Sequence, residues 1–370
     1  MTGATATAAD VAVIGAGVVG LAVAARLAVR GARVVVLERR SRPLTETSSR
    51  NSGVVHAGLY YPEGSLKAET CVEGRELLYA RCRAYGVPHR RLGKVVVATS
   101  PAQVPSLERL AERGRRNGAG ALRLLDGVEV ERLAPGVRAV AGLWSPASGI
   151  VDVHALAGTH RAEAQAHGAL FALRTPVCGL ERQPSGWAVR TGGAAPYTLR
   201  AEAVVNAAGL AADRIAELAG LDGDALGWRL RPCKGDYFTV APGAGAPRDR
   251  LVYPMPEGAG LGVHLTPDLG GQVRAGPDAT YVEAPRYDVA PAKAHRFAEA
   301  VRAYLPGVRA EHLHPGYAGV RPRLQGPGEP FRDFVLEERP AGLVHLLGIE
   351  SPGLTAAEAL ARRVARLLRP

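Results

Sequence analysis

Three glycines and one acid near the N-terminus offer the first chemistry. Gly15-Ala16-Gly17-Val18-Val19-Gly20 is a G-x-G-x-x-G string, and Glu38 stands 18 residues beyond Gly20. Gly15 permits a tight turn, Gly17 lets a pyrophosphate approach where a Cβ would intrude, and Gly20 lets a helix pack closely on a strand. A helix starting at Val18 and Val19 would present unpaired N–H groups and its positive dipole end to phosphates. Glu38 would accept hydrogen bonds from ribose hydroxyls and repel a 2′-phosphate. The plain alternative is a strand-to-helix turn with no ligand; the placing of Glu38 argues against it.

Two histidines come next. His56 lies among small residues in Val55-His56-Ala57-Gly58, and His264 lies in the alternating run LGVHLT (261–266). A histidine's reference pKa of about 6.5 suits it to take a proton near working pH. Either could equally be a structural residue satisfied in a core.

The elements that would position these residues are legible. VAVIG reads as a buried strand, LAVAARLAVRG as a helix stopped at Gly31, and ARVVVLE as a second strand. A nicotinamide enzyme would continue with regular strand–helix units. Here RRSRPLTETSSRNSGVVHAGLYYPEGS is polar and irregular, which favours FAD. That loop would bring Ser49, Arg50, Ser52 and His56 towards the far end of the cofactor. Arg39, Ser48, Asn51 and Gly53 of the same stretch are counted with its contacts.

Strand-like runs recur at 93–99, 186–191, 201–209, 236–241, 261–266, 271–276 and 344–349, several alternating apolar with polar. Helical patterns cover 66–84, 101–116, 153–168, 210–219, 291–305 and 354–368, with Ser65 as an N-cap and Pro101 and Pro291 in first turns. The run AVVNAAG ends in Asn206 and the small residues Ala207, Ala208 and Gly209, so backbone could approach a cofactor there. GIESPGLTAAEAL reads as strand, turn at Gly348, then helix. Its N-terminus at Pro352, Gly353, Leu354 and Thr355 could face the pyrimidine side of a flavin; an ordinary helix start is the alternative. The pattern predicts an α/β chain with a discontinuous Rossmann-like FAD-binding domain (1–85, 150–225 and 320–370). A second α+β substrate-binding domain on a mixed sheet would take 86–149 and 226–319.

Composition narrows the function classes. The 370 residues suit about two domains, and 47% hydrophobic content supports a sizeable core. Lys plus Arg is 46 and Asp plus Glu is 35, so the net charge is +11. No run of five or six like charges appears, which argues against nucleic acid and for anionic small ligands. The four cysteines form no C-x-x-C pair, so no metal site and no disulfide framework is expected. Cys71 and Cys82 share one helical pattern and would pack as small apolar groups. The N-terminus reads as neither signal nor transit peptide, and no apolar run reaches the roughly 18 residues of a membrane span. A cytoplasmic protein is expected. The basic C-terminal ARRVARLLRP reads as a solvated last turn, with peripheral membrane contact as the alternative.

SSRNSGVVHAGLYYPEGSLKAETCVEGRELLYARC resembles the matching stretch of the L-2-hydroxyglutarate oxidase/dehydrogenase family, a branch of the D-amino-acid-oxidase-like FAD enzymes. The resemblance continues through VDVHALA, VVNAAGLAADRIA, KGDYFTV, LVYPMP, LGVHLTPDLGGQVRAGPDAT, YAGVRPRL and HLLGIESPGLTAAEALA, covering nearly the whole chain in order. It implies FAD and oxidation of a small carboxylate or dicarboxylate substrate, L-2-hydroxyglutarate, to 2-oxoglutarate by hydride transfer; none of the four cysteines stands out as a covalent flavin anchor, so non-covalent FAD is expected. It implies that Val177 supplies backbone contacts to adenine, that Gly319 lies at the cofactor, and that His56, with His264, handles the proton. Arg321, in AGVRPRL, matches the arginine that grips the substrate carboxylate and lies at the cofactor. Tyr60, Tyr61, Lys234 and Arg323 are the candidates for a distal carboxylate. Oxygen, a quinone or a carrier protein fits as electron acceptor. The alternatives are a D-amino-acid, glycine or sarcosine-type oxidase, and an FAD-binding electron-transfer subunit.

Overall fold

The computed structural model describes residues 8–256 and 262–368. Leu261, the first residue of the strand expected at 261–266, lies outside the described residues, as do residues 1–7 and 369–370. Two compact units form. One comprises Met1–Ser49, Val153–Arg231 and Pro322–Pro370; the other comprises Arg50–Asp152 and Pro232–Arg321. Residues 50–85 therefore belong to the second unit, not to the nucleotide-binding segments as the sequence suggested. The cause is local pairing. Strand Val54–Val55 and strand His89–Arg90 both pair with Gly149–Val151. Helix Leu66–Tyr85 is tied to the same region by Arg75, which donates to the Ala57 carbonyl at 2.9 Å, and by the Tyr79 hydroxyl, which donates to the Ala147 carbonyl at 3.3 Å.

In the first unit, strand Ala8–Ile14 runs parallel to Val34–Glu38 on one side and Thr198–Asn206 on the other. The register sets Ile14 beside both Leu37 and Asn206. The turns that follow, at Gly15, after Glu38 and at Ala207, are thus delivered to one sheet end. Ligands of doubly wound sheets bind at such carboxyl ends. Thr198–Asn206 is long enough to pair antiparallel with Gly186–Thr191 through its first half and parallel with Leu343–Leu347 through its second. Helix Val18–Ala28 is buried almost all round, because it packs against helices Val153–Ala166 and Gly353–Leu367. Its alanines allow that close approach, which fits a helix apolar on every face.

Among the described residues no helix is long and apolar enough to cross a membrane. The closing helix Gly353–Leu367 turns Leu360, Ala361, Val364 and Ala365 into the core of the first unit. Its apolar face is therefore already covered.

The second unit carries a mixed sheet. Strand Lys94–Ala98 runs parallel to Leu251–Pro254 and antiparallel to Ala141–Ser145. All five of its residues are buried, because each face of the sheet is covered by a core. Val95 and Val97 enter one core with Phe238, Phe297 and Tyr304. Val96 and Ala98 enter the other with Leu59, Leu107 and Tyr253. The two-residue strand period places Lys94 on the second of these faces. The alternating run expected at 261–266 is shorter, Leu265–Pro267, so His264 precedes the strand instead of lying within it.

Candidate active site

The N-terminal turn is built so that only glycine fits. Gly15 has φ +105°, and a Cβ there would meet the Ala207 carbonyl oxygen at 2.5 Å. At Gly20 a Cβ would fall 2.0 Å from the Gly15 carbonyl oxygen. Gly17 caps the first helix in extended backbone without a side-chain cap. Ser48 lies against this turn, its Oγ accepting from the Val18 N–H at 3.0 Å. The Glu38 carboxylate accepts from the Ala16 N–H at 2.9 Å and the Arg40 N–H at 2.8 Å. A carboxylate has about four acceptor sites, so Glu38 is oriented at the turn and keeps capacity for hydroxyl donors.

The neighbouring strand ends are held with equal economy. Asn206 is fully buried; its side chain donates to the Ala212 carbonyl at 2.7 Å and accepts from the Ala208 N–H at 3.3 Å. It also meets His345 Nδ1 at 3.1 Å, while His345 Nε2 sits 2.8 Å from the Arg339 carbonyl. That carbonyl can only accept, so Nε2 carries the proton and Nδ1 accepts from Asn206. Asn206 thus ties down the Ala207–Gly209 backbone from below. Val177 begins strand Val177–Gln183, two residues after Thr175, whose N–H donates to the Glu38 carbonyl at 2.8 Å. Gly348 has φ +69°, and a Cβ there would meet Leu324 at 2.7 Å. Pro352 stands at the N-cap of the Gly353–Leu367 helix, again without a side-chain cap, and Thr355 is buried in its first turn. Within the loop Arg39 pairs with Glu46 at 2.6 Å, and Ser49 donates to the Glu46 carbonyl at 3.0 Å. The glycine turn, the helix start with its Val18 N–H held by Ser48, and the oriented acid are the cradle a dinucleotide needs.

Arg50, Asn51, Ser52, Gly53, His56, Gly319 and Arg321, all expected at the cofactor, lie in the second unit. Gly319 is required by close approach: a Cβ would fall 2.1 Å from the Arg50 carbonyl oxygen. The Arg50 guanidinium lies 4.2 Å from the Tyr287 ring centroid. Asn51 accepts from the Gly53 N–H at 2.8 Å and, through its carbonyl, from the Tyr317 hydroxyl at 2.8 Å.

His56 and His264 come together with a lysine that no motif of the sequence singles out. Lys94 is 1% exposed, and its ammonium lies 3.9 Å from the Tyr253 ring centroid and 5.3 Å from that of Tyr60. The His264 ring stacks on Tyr253 at 3.8 Å and 12°. Burial, then the positive charge of Lys94, then His264, hold His56 well below the usual histidine range. Burial and Lys94 push His264 down to about 3, and Arg321 adds to the same effect. His264 Nδ1 lies 3.1 Å from the Gly262 carbonyl, so that nitrogen carries the proton. Both imidazoles are neutral at pH 7. The signal that could have found Lys94 is a charge heading the otherwise apolar run KVVVA.

One consequence is measurable. An unfolded histidine takes a proton near pH 6.5, whereas folded His264 resists until about 3. Stability is then full above about pH 6.5 and is lost progressively as pH falls towards 3. Urea midpoints should fall between pH 7 and pH 5, with a smaller fall in His264→Phe.

Arg321, half-buried on strand Leu313–Arg323, donates to the Asp278 carbonyl at 3.2 Å and contacts Cys233 Sγ at 3.6 Å. Among the described residues it meets no carboxylate. Asp278 is fixed by Lys293 at 2.9 Å and by the Asp236 N–H at 2.8 Å. A Cβ on Gly235 would lie 2.8 Å from the Arg321 guanidinium, so the fork is seated against bare backbone. The other cations are already neutralised. Lys234 pairs with Asp236 at 3.1 Å, and Arg323 pairs with Glu350 at 3.2 Å within the first unit. Tyr61 packs in a small core with Ala68 and Cys71. These three are poor ligands for a distal carboxylate. Tyr60 differs: its buried hydroxyl has no hydrogen-bond partner among the described residues.

Solved structures share this architecture. The chain aligns with a dithionite-reduced L-alpha-glycerophosphate oxidase from Mycoplasma pneumoniae with FAD bound, at TM-score 0.89 and 26% identity, over 98% of this chain and 95% of that one. Glycine oxidase from Geobacillus kaustophilus shares the fold at TM-score 0.78 and 23% identity, over 98% and 95%. Fold and cradle define an FAD-linked oxidoreductase. Residues 10–367 match the FAD dependent oxidoreductase (DAO) family, and the chain belongs to it. Its relatives there include the mitochondrial L-2-hydroxyglutarate dehydrogenase of Arabidopsis thaliana, 40% identical over 96% of this chain and 82% of that protein. L-2-hydroxyglutarate dehydrogenase of Escherichia coli strain K12 is 29% identical over 94% and 90%.

Proposed function

We propose that this protein oxidises L-2-hydroxyglutarate to 2-oxoglutarate with non-covalently bound FAD. The observation that carries the reading is the grouping around His264 of a neutral His56 and two cations, Lys94 and Arg321, that meet no carboxylate among the described residues. The names of the relatives at 40% and 29% identity support it.

FAD, when bound, supplies the acceptor for the two electrons and the hydrogen leaving C2. The chain supplies the rest. The Gly15–Gly20 turn and the helix start beyond Val18 would hold the pyrophosphate, Glu38 the ribose and Val177 the adenine side. The helix start at Gly353, Leu354 and Thr355 would face the pyrimidine side with the Leu354 N–H as donor, since the Gly353 N–H already donates to the Glu350 carbonyl. His56, neutral at working pH, takes the hydroxyl proton, since a base works best in its unprotonated form. Arg321 holds the 2-carboxylate in its planar fork.

Anaerobic mixing tests the reading. L-2-hydroxyglutarate should bleach the flavin spectrum, while sn-glycerol 3-phosphate, glycine, sarcosine and D-amino acids leave it oxidised. Bleaching by an amine substrate alone would move the assignment to C–N oxidation. No bleaching by any of them would favour an electron-transfer subunit. Reoxidation of the reduced enzyme by oxygen, a quinone or a carrier protein then identifies the acceptor.

A further inference from the structure

A substrate with two carboxylates needs a second positive site, and three of the side chains expected to provide one do not. Lys234 and Arg323 are ion-paired, and Tyr61 is packed in a core. We infer that Lys94, with the Tyr60 hydroxyl beside it, is the anchor for the distal carboxylate and sets the preference for dicarboxylic 2-hydroxy acids. The inference rests on the function proposed above and names how that site selects its substrate.

Four observations lead to it. The ammonium of Lys94 is enclosed and, among the described residues, forms no hydrogen bond or ion pair; only the faces of Tyr253 and Tyr60 attend it. Aromatic faces stabilise a cation but do not neutralise it. A buried amine without a counter-charge is costly to keep charged and gains most from an arriving anion. The Tyr60 hydroxyl is a second buried polar group lacking a partner among the described residues, on the side chain whose ring centroid lies 5.3 Å from the same ammonium. Such orphans ask for an explanation, and a missing ligand is one. An incoming carboxylate would accept from both.

Strand geometry aims the lysine. Lys94 shares its face with Val96 and Ala98; its register neighbour on Leu251–Pro254 is Leu251, and Tyr253 stands beside Val96 on the same face. That face is the one on which Leu59 and Tyr60 pack. The electrostatics agree. Lys94 acts on both His56 and His264, and Arg321 acts on His264 as well. His264 therefore feels both positive groups, as expected if one substrate carries a carboxylate to each. Burial pushes the Lys94 amine down to about 7, a strain that an arriving anion would relieve. Arg321 suits the planar 2-carboxylate next to the reacting carbon, and Lys94 suits a distal group held as a point charge.

The test uses the FAD-loaded protein and Lys94→Met, a near-isosteric change that removes an unpaired buried charge and should fold at least as well. In wild type, calorimetry should show 2-oxoglutarate binding at least tenfold more tightly than 2-oxobutyrate. The ratio of kcat/KM for L-2-hydroxyglutarate over L-2-hydroxybutyrate should fall about 30-fold in Lys94→Met, or about 2 kcal/mol at 1.4 kcal/mol per tenfold. The binding ratio should narrow by a similar factor, and Lys94→Gln should behave alike. Equal losses for both acids, or an unchanged ratio, would overturn the inference. So would equal wild-type affinities for the two oxo acids, a result that needs no variant. Wild-type enzyme that binds 2-oxoglutarate selectively yet oxidises no hydroxy acid would sink the proposed reaction and leave the Lys94 anchor standing.

Discussion

His56→Ala is expected to retain FAD and to lose about 10²–10⁴-fold in kcat, the usual range for removing a general base. The cofactor should stay because the glycine turn, Glu38 and the Ala207–Gly209 backbone all belong to the first unit, whereas His56 belongs to the second. The pH profile provides the sharper check. Burial, Lys94 and His264 all disfavour protonated His56, so its pKa lies well below 6.5. The base is therefore free through neutral pH and is lost only on acidification. The wild-type profile of kcat/KM should show its acid limb below pH 6.5, and that limb should vanish in the variant. A variant with unchanged turnover would remove His56 from the reaction.

Arg321→Lys should lower kcat/KM by about 10²-fold or more, mostly through KM. Truncating one side of a buried, hydrogen-bonded charge pair costs about 2–5 kcal/mol. Lysine keeps the charge but cannot form two parallel hydrogen bonds to a carboxylate. The seat is also shaped for the fork: Gly235 leaves bare backbone beneath it, and the Asp278 carbonyl accepts from it at 3.2 Å. A kcat that falls while KM stays fixed would show that Arg321 acts on the transition state and not on capture.

The N-terminal βαβ unit was legible because each glycine answers a local need. Gly15 and Gly20 would each collide with a carbonyl oxygen if they bore a Cβ. Ser65 likewise caps helix Leu66–Tyr85 as expected, accepting from the Ala68 N–H at 3.2 Å. Residues 50–85 were misassigned because strand Val54–Val55 is only two residues long and its partner, Gly149–Val151, lies about a hundred positions away. No local pattern announces such a pairing. His264 was set inside a strand for a related reason: alternation in LGVHLT mimics a strand that begins only at Leu265.

Charge pairing was equally hidden. Lys234 and Arg323 look as available in the sequence as Arg321, yet Asp236 and Glu350 neutralise them. Lys94 looks like the hydrated head of a strand, yet it is among the most enclosed large side chains of the described residues. What the amino-acid order determined by itself was the nucleotide cradle, the α/β class and most helices, because those depend on φ preferences and on periods of two and 3.6 residues. What only the tertiary structure decided was which cations remain without a counter-charge and which neutral histidine sits beside them. Burial and ion pairing arise between residues far apart in the chain, so no short window of sequence contains them.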